Sequence, residues 1–234
     1  MIDKLINIAL AEVGYLEKRS NASLDSKTAN AGDKNYTKYA RDMCKCHAGI
    51  YANGYAWCDT FVDWCFTQAF GADKAKKMLN GWSAYCPTSA GYFKNKRQWY
   101  TRPQKGDIIF FLDSKNIICH TGIVYDVDSN YVYTVEGNTS TQSGVVANGG
   151  AVAKKKYALN YTRIAGYGRP KYPKGEKNVL TSGNDLIWEI VNGERFKVKI
   201  DDVDRAVKAL DDAKNNPQFM SLYWIIYKLV NGNE

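Results

Sequence analysis

Two cysteines stand seven residues apart in the run NGYAWCDTFVDWCF, Asn53–Phe66. A thiol attacks carbonyl carbon only as thiolate, and a free cysteine, with pKa about 8.5, is only a few per cent ionised at neutral pH. Position along a helix separates the two residues. Asp59 and Thr60 suit a first turn, which puts Cys58 at the helix start, where unpaired N–H groups and the positive dipole end favour thiolate. Phe61, Val62, Cys65, Phe66 and Ala69 recur at helical spacing, so Cys65 lies two turns inside on an apolar face, where burial favours the neutral thiol. Cys58 is the candidate nucleophile and Cys65 a packing residue.

A cysteine nucleophile needs a base, and the chain has two histidines. His120 opens the run HTGIVYDV, and the next apolar run ends in VEGN, which sets Glu136 and Asn138 two residues apart on one face of a strand. If the two runs pair, either side chain can hold the second imidazole nitrogen in the nucleophile, base and orienter arrangement. EGN is also ordinary turn chemistry. His47 belongs instead to CKCH, where Cys44, Cys46 and His47 are soft donors with no second ligand pair at zinc spacing. The six cysteines form an even set, yet a chain this long needs no disulfides for a core, and packing or surface roles are expected.

These residues need elements to hold them. With 234 residues and 45% hydrophobic composition the chain can bury a core, and no low-complexity run or fixed-period repeat is present. Leu5, Ile6, Ala9, Leu10 and Val13 mark an amphipathic first helix. KRSNASLDSKTANAGDKN follows as a long loop, then helices over YTKYARDMC and DTFVDWCFTQAFG closed by Gly71, then a loop-rich stretch to Pro103. From Gly106, DIIFFL, HTGIVYDV and YVYTVEG read as antiparallel strands, with RIAGYGRP adding another. Helices first and a sheet after predict an α+β domain.

The motifs GYAWCDTFVDWCF, GDIIFF, HTGIV and VEGN, in that order, resemble the CHAP domain, the cysteine, histidine-dependent amidohydrolase/peptidase family of the papain-like superfamily. The resemblance spans roughly residues 1–170, and GYLEKRSNASLDSKTANAGDKNYTKYARD is similar to the N-terminal part of CHAP lysins of phages and prophages. It implies a papain-like α+β fold with Cys58 as nucleophile, His120 as general base, and Glu136 and Asn138 as the acidic and amide positions that orient the histidine. It implies as substrate an amide of bacterial peptidoglycan, either muramic acid to L-alanine or a bond of the stem or cross-bridge peptide. Tyr55, Trp57, Trp82 and Tyr85 are candidates to line the substrate groove. Some members bind calcium through Asp-x-Asp just before the nucleophile; HAGIYANGYAW lacks those carboxylates, so no metal or other cofactor is expected. Asp25, Asp33, Asn35 and Asp42 are the calcium candidates further upstream, where DKNYT has one spacing of a calcium loop but not its glycine or terminal glutamate.

The last segment is different. Of 32 Lys+Arg and 24 Asp+Glu, residues 178–234 hold 7 and 9, leaving a net of +10 before them. A basic N-terminal part suits an acidic cell wall. No nucleic-acid-reading motif and no membrane span accompany it, so neither nucleic acid nor membrane insertion is expected. Beyond a linker over 171–182, DLIWEIVNG, DDVDRAVKALDDAKNN and PQFMSLYWIIYKLVNG read as a small helical domain, 183–234. So short a unit needs a partner surface: the catalytic domain or, as the favoured readings, wall polymer met through Trp188, Tyr223 or Trp224, or a second copy in a homo-oligomer. The N-terminal helix is too polar for a secretory leader, which predicts synthesis in a host cytoplasm and action at the wall after holin release, as a phage endolysin. A bacterial autolysin and a catalytically silent wall-binding module on the same fold are the alternative readings.

Overall fold

The computed structural model describes residues 1–172 and, as backbone, 185–189 and 195–199. The chain divides into two compact units, Met1–Pro173 and Lys174–Glu234. The first is α+β. Five helices, α1 (Ile2–Ala11), α2 (Lys38–Cys46), α3 (Cys58–Phe70), α4 (Ala72–Leu79) and α5 (Cys86–Asn95), precede six strands. These are β1 (Trp99–Tyr100), β2 (Ile108–Leu112), β3 (Ile118–Val127), β4 (Tyr131–Thr139), β5 (Ala151–Ala158) and β6 (Ile164–Gly168). They form one antiparallel sheet in the order β1-β6-β2-β3-β4-β5.

Three elements, α4, α5 and β1, occupy the stretch expected to be loop-rich up to Pro103, and α5 bears on the chemistry. Its start is CP, with proline in the first turn, where a missing N–H costs nothing. β5 also departs from the sequence reading, because its run Lys154–Lys156 hides a strand alternation. Lys154 and Lys156 are exposed, while Lys155 is buried and its ammonium donates to the carbonyls of Ser140 and Gln142. In the second unit, Asp185–Glu189 is a strand (β7) paired with Arg195–Lys199 (β8), not the helix expected there. Alternating Leu186 and Trp188 suit that strand, since residues two apart do not share a helical face. The remainder of the expected helical domain, including Tyr223 and Trp224, lies outside the described residues.

Helix α3 is the axis of the first unit. Rather than one apolar face it buries nearly every side, including Asp59, Asp63 and Trp64. The sheet can approach it closely because Gly137 has no side chain: a Cβ there would lie 2.5 Å from Phe61 Cβ. On the other flank Tyr39 stacks on Trp57 at 5.4 Å and meets Phe61 and Trp64 edge-on. The expected long loop after α1 is held by backbone bonds from Leu16 to Lys27 and from Lys18 to Tyr36.

Two carboxylates inside α3 set a pH dependence of stability. Burial pushes the Asp63 carboxyl up to about 8 from 3.8, although Tyr51 donates to it at 2.5 Å. Burial, and then the charge of Asp63, also hold the Asp59 carboxyl well above the usual carboxylate range. The native state therefore keeps protons that the unfolded chain releases near pH 4, so stability falls as pH rises from about 4 to about 8. Asp63→Asn keeps an acceptor for Tyr51 and removes this ionisation. Calorimetry at pH 5 and pH 8 should show the variant gaining on the parent at pH 8, by on the order of a few kcal/mol. Asp59 supplies the slope that remains.

Candidate active site

Cys58 is the first residue of α3, outside the i→i−4 ladder, with Trp57 as N-cap. His120 lies in β3 opposite Phe111 of β2, whose ring stacks on the imidazole at 5.9 Å. Glu136 lies in the adjoining β4. His120 and Glu136 are both fully buried, and His120 Nε2 is 3.0 Å from Glu136 Oε2. Of the two residues able to orient the histidine, Glu136 does so. Asn138 is buried in the left-handed region at φ 53°, its Oδ1 accepts from Gly150 N at 3.3 Å, and its Nδ2 has no partner.

Several residues hold Glu136 that the sequence reading did not pick out. Thr134 Oγ1 donates to Oε1 at 2.5 Å and Tyr157 lies 3.2 Å from Oε2, the latter projecting from the strand hidden in the lysine run. Gly122 faces Glu136 across the β3–β4 ladder, where a Cβ would lie 2.5 Å from Glu136 Cγ and 3.0 Å from the Val135 carbonyl. The glycine of HTGIV is thus the space the carboxylate occupies. Gly122→Ala should cost about 1–3 kcal/mol of stability, as overpacking does. Denaturant titration is the readout.

The charges of the site follow from these contacts. A hydrogen bond from Cys86 holds the Cys58 thiol well below its usual range, helped by His120 and the Asp59 N–H, against burial. Burial alone would lower the His120 pKa. Hydrogen bonds and charges from Cys58 and Glu136 outweigh it and bring the pKa up to about 10. The pair therefore favours a thiolate beside an imidazolium. Nε2 is committed to Glu136 and Nδ1 is buried without a fixed partner, so Nδ1 is the nitrogen left to serve Cys58. Cys65, by contrast, is pushed well up by burial and by Glu12, in keeping with a packing thiol.

The groove candidates divide. Tyr55 and Tyr85 are 71% and 62% exposed, one shortly before Cys58 and the other the N-cap of α5 beside Cys86. Trp57 and Trp82 are 1% and 5% exposed and cannot line a groove. Trp57 belongs to the aromatic cluster behind α3, with its Nε1 donating to Glu17 Oε2 at 2.9 Å, and Trp82 packs against His47 at 5.2 Å. Aromatic content alone does not say which side of a surface a ring takes.

The upstream oxygen donors are used otherwise. Arg41 makes two 2.7 Å hydrogen bonds to Asp25 and one of 2.9 Å to Asp42, Asp33 is an exposed neighbour of Lys34, and the Asn35 Oδ1 is buried without a partner. Cys44 and Cys46 are exposed free thiols. Among the described residues no group of three or more His, Cys, Asp or Glu is arranged to hold a metal ion, and no helix is long and apolar enough to cross a membrane.

Residues 50–138 match the family model of the CHAP domain. The match takes in Cys58, His120, Glu136 and Asn138 and lies within the first compact unit, shorter than the 1–170 expected from the motifs. Two solved structures of Ly7917, the second with the hydrolysing product of MDP, are similar over 73% of this chain, at 14% and 12% identity and TM-scores of 0.43 and 0.37. The chain spans 62% and 63% of their length. No curated protein matches it.

Proposed function

We propose that this CHAP domain cleaves an amide of peptidoglycan through a covalent acyl-enzyme on Cys58. The Cys58 thiolate attacks the carbonyl carbon, and the Cys58 N–H at the start of α3 donates to the oxyanion. His120, charged by its pairing with Glu136, gives its proton to the leaving amine and then takes one from the water that releases the acyl group. The single observation that carries this reading is the buried Cys58, His120 and Glu136 constellation, whose partners favour thiolate and imidazolium together. Asn138, with an unused buried amide N–H, is the further polar donor of the site. A silent wall-binding module would have no use for a thiol held below its ordinary pKa.

The substrate is the bond from muramic acid to L-alanine or one within the stem or cross-bridge peptide, and the role is that of an endolysin, on the similarity of residues 14–42 to phage lysins. Mass spectrometry of digested walls tests both parts. New L-alanine N-termini mark an amidase, new N-termini within the peptide mark an endopeptidase, and walls left intact by a folded protein would refute the reading. Tyr55, exposed three residues before Cys58, and Tyr85, exposed one residue before Cys86, are the rings that hold the substrate. Tyr55→Ala and Tyr85→Ala should each raise KM about 3- to 10-fold with kcat little changed, the worth of one aromatic contact.

A further inference from the structure

Cys58 and Cys86 stand at the first residues of α3 and α5, with their sulfurs 3.5 Å apart. The two helix starts are held together by Ser89 of α5, whose hydroxyl donates to Asp59 of α3 at 2.6 Å. Both cysteines are buried, 4% and 5% exposed, so each thiol has the other in contact before any thiol from solution. A disulfide needs sulfurs about 2.05 Å apart, which this pair reaches by a movement of about 1.5 Å.

We propose that Cys86 is a resolving thiol, which captures peroxide-oxidised Cys58 as an intramolecular disulfide and makes the loss of activity reversible. The inference rests on the reading of Cys58 as the reactive thiolate. The thiolate attacks one peroxide oxygen, the O–O bond breaks, and the departing hydroxide takes up a proton to become water, leaving Cys58 as sulfenic acid. The Cys86 sulfur attacks the Cys58 sulfur, the S–O bond breaks, and the hydroxide leaves as water with the Cys86 proton. In total two thiols are oxidised to one disulfide and one hydrogen peroxide is reduced to two waters. Without a thiol within reach the sulfenic acid proceeds to sulfinic acid, which ordinary thiols do not reverse. A thiol already 3.5 Å away meets the sulfenic acid ahead of thiols from solution, so the internal one decides which path is taken.

The full chain is treated with hydrogen peroxide, digested without reductant and mapped by mass spectrometry, with wall hydrolysis followed in parallel. The expected map holds a Cys58–Cys86 cross-linked peptide lighter by two hydrogens. Activity should be lost as the link forms, and most should return with dithiothreitol. In Cys86→Ser the link is absent, Cys58 is found as sulfinic or sulfonic acid, and dithiothreitol restores nothing. The proposal is overturned if wild-type Cys58 is found as sulfinic acid or joined to Cys65 or Cys119, or if Cys86→Ser recovers as wild type does. The wild-type map decides even where the variant fails to fold. A link that forms while hydrolysis continues would instead refute Cys58 as nucleophile.

Discussion

Cys58→Ser should lower peptidoglycan hydrolysis by about 10³-fold or more, roughly 4 kcal/mol of transition-state stabilisation, with the melting temperature close to that of the parent. Serine fits the space at the start of α3 and still accepts a hydrogen bond from Cys86. Its hydroxyl, however, is not ionised at any pH the fold survives, and the partners that stabilise a thiolate beside His120 cannot do the same for an alkoxide. The wild-type pH profile carries the same signature. The reactive pair exists above the lowered Cys58 pKa and below that of His120, so activity should rise early on the acid side, stay level, and fall as His120 loses its proton at about 10. Initial rates of turbidity loss on purified walls, with thiolate absorbance followed over the same range, check both limbs. A serine variant that lyses walls at the parental rate would remove Cys58 from the mechanism.

Cys58, His120 and Glu136 were legible in the sequence because each is fixed by local order: a helix start, a strand opening and a strand end. Choosing Glu136 over Asn138 as the partner of His120 required the register of β3 on β4, in which Glu136 faces Gly122, and no spacing rule contains that. Cys86 was missed because its contact with Cys58 is tertiary, although the proline after it was a usable sign of a helix start. Asp59 was read only as a first-turn residue favourable to the dipole. It lies inside the protein, since α3 is enclosed on every side by helices and sheet, a circumstance set by the whole chain. Trp57 and Trp82 show the same limit: an aromatic near the nucleophile in sequence packs behind it as readily as in front.

Glu136→Gln should lower kcat by about 10²- to 10³-fold, as does loss of the charge that orients a catalytic histidine elsewhere. The amide keeps the volume and can still accept from His120 Nε2, but the charge that helps raise the His120 pKa is gone and burial then weighs more heavily. The alkaline limb of the profile should therefore move to lower pH, and with a less charged imidazole the thiolate at Cys58 loses part of its stabilisation. Glu136→Ala does something different. It deprives His120 Nε2, the Thr134 hydroxyl and the Tyr157 hydroxyl of a shared acceptor inside the protein, at a cost of about 1–3 kcal/mol for each group left unsatisfied. The two variants thus separate charge from scaffolding: glutamine shifts the profile with little change in melting temperature, whereas alanine lowers the melting temperature as well. An alkaline limb unmoved in Glu136→Gln would mean that Glu136 holds the ring in place without setting its charge, leaving Cys58 as the group that keeps His120 protonated.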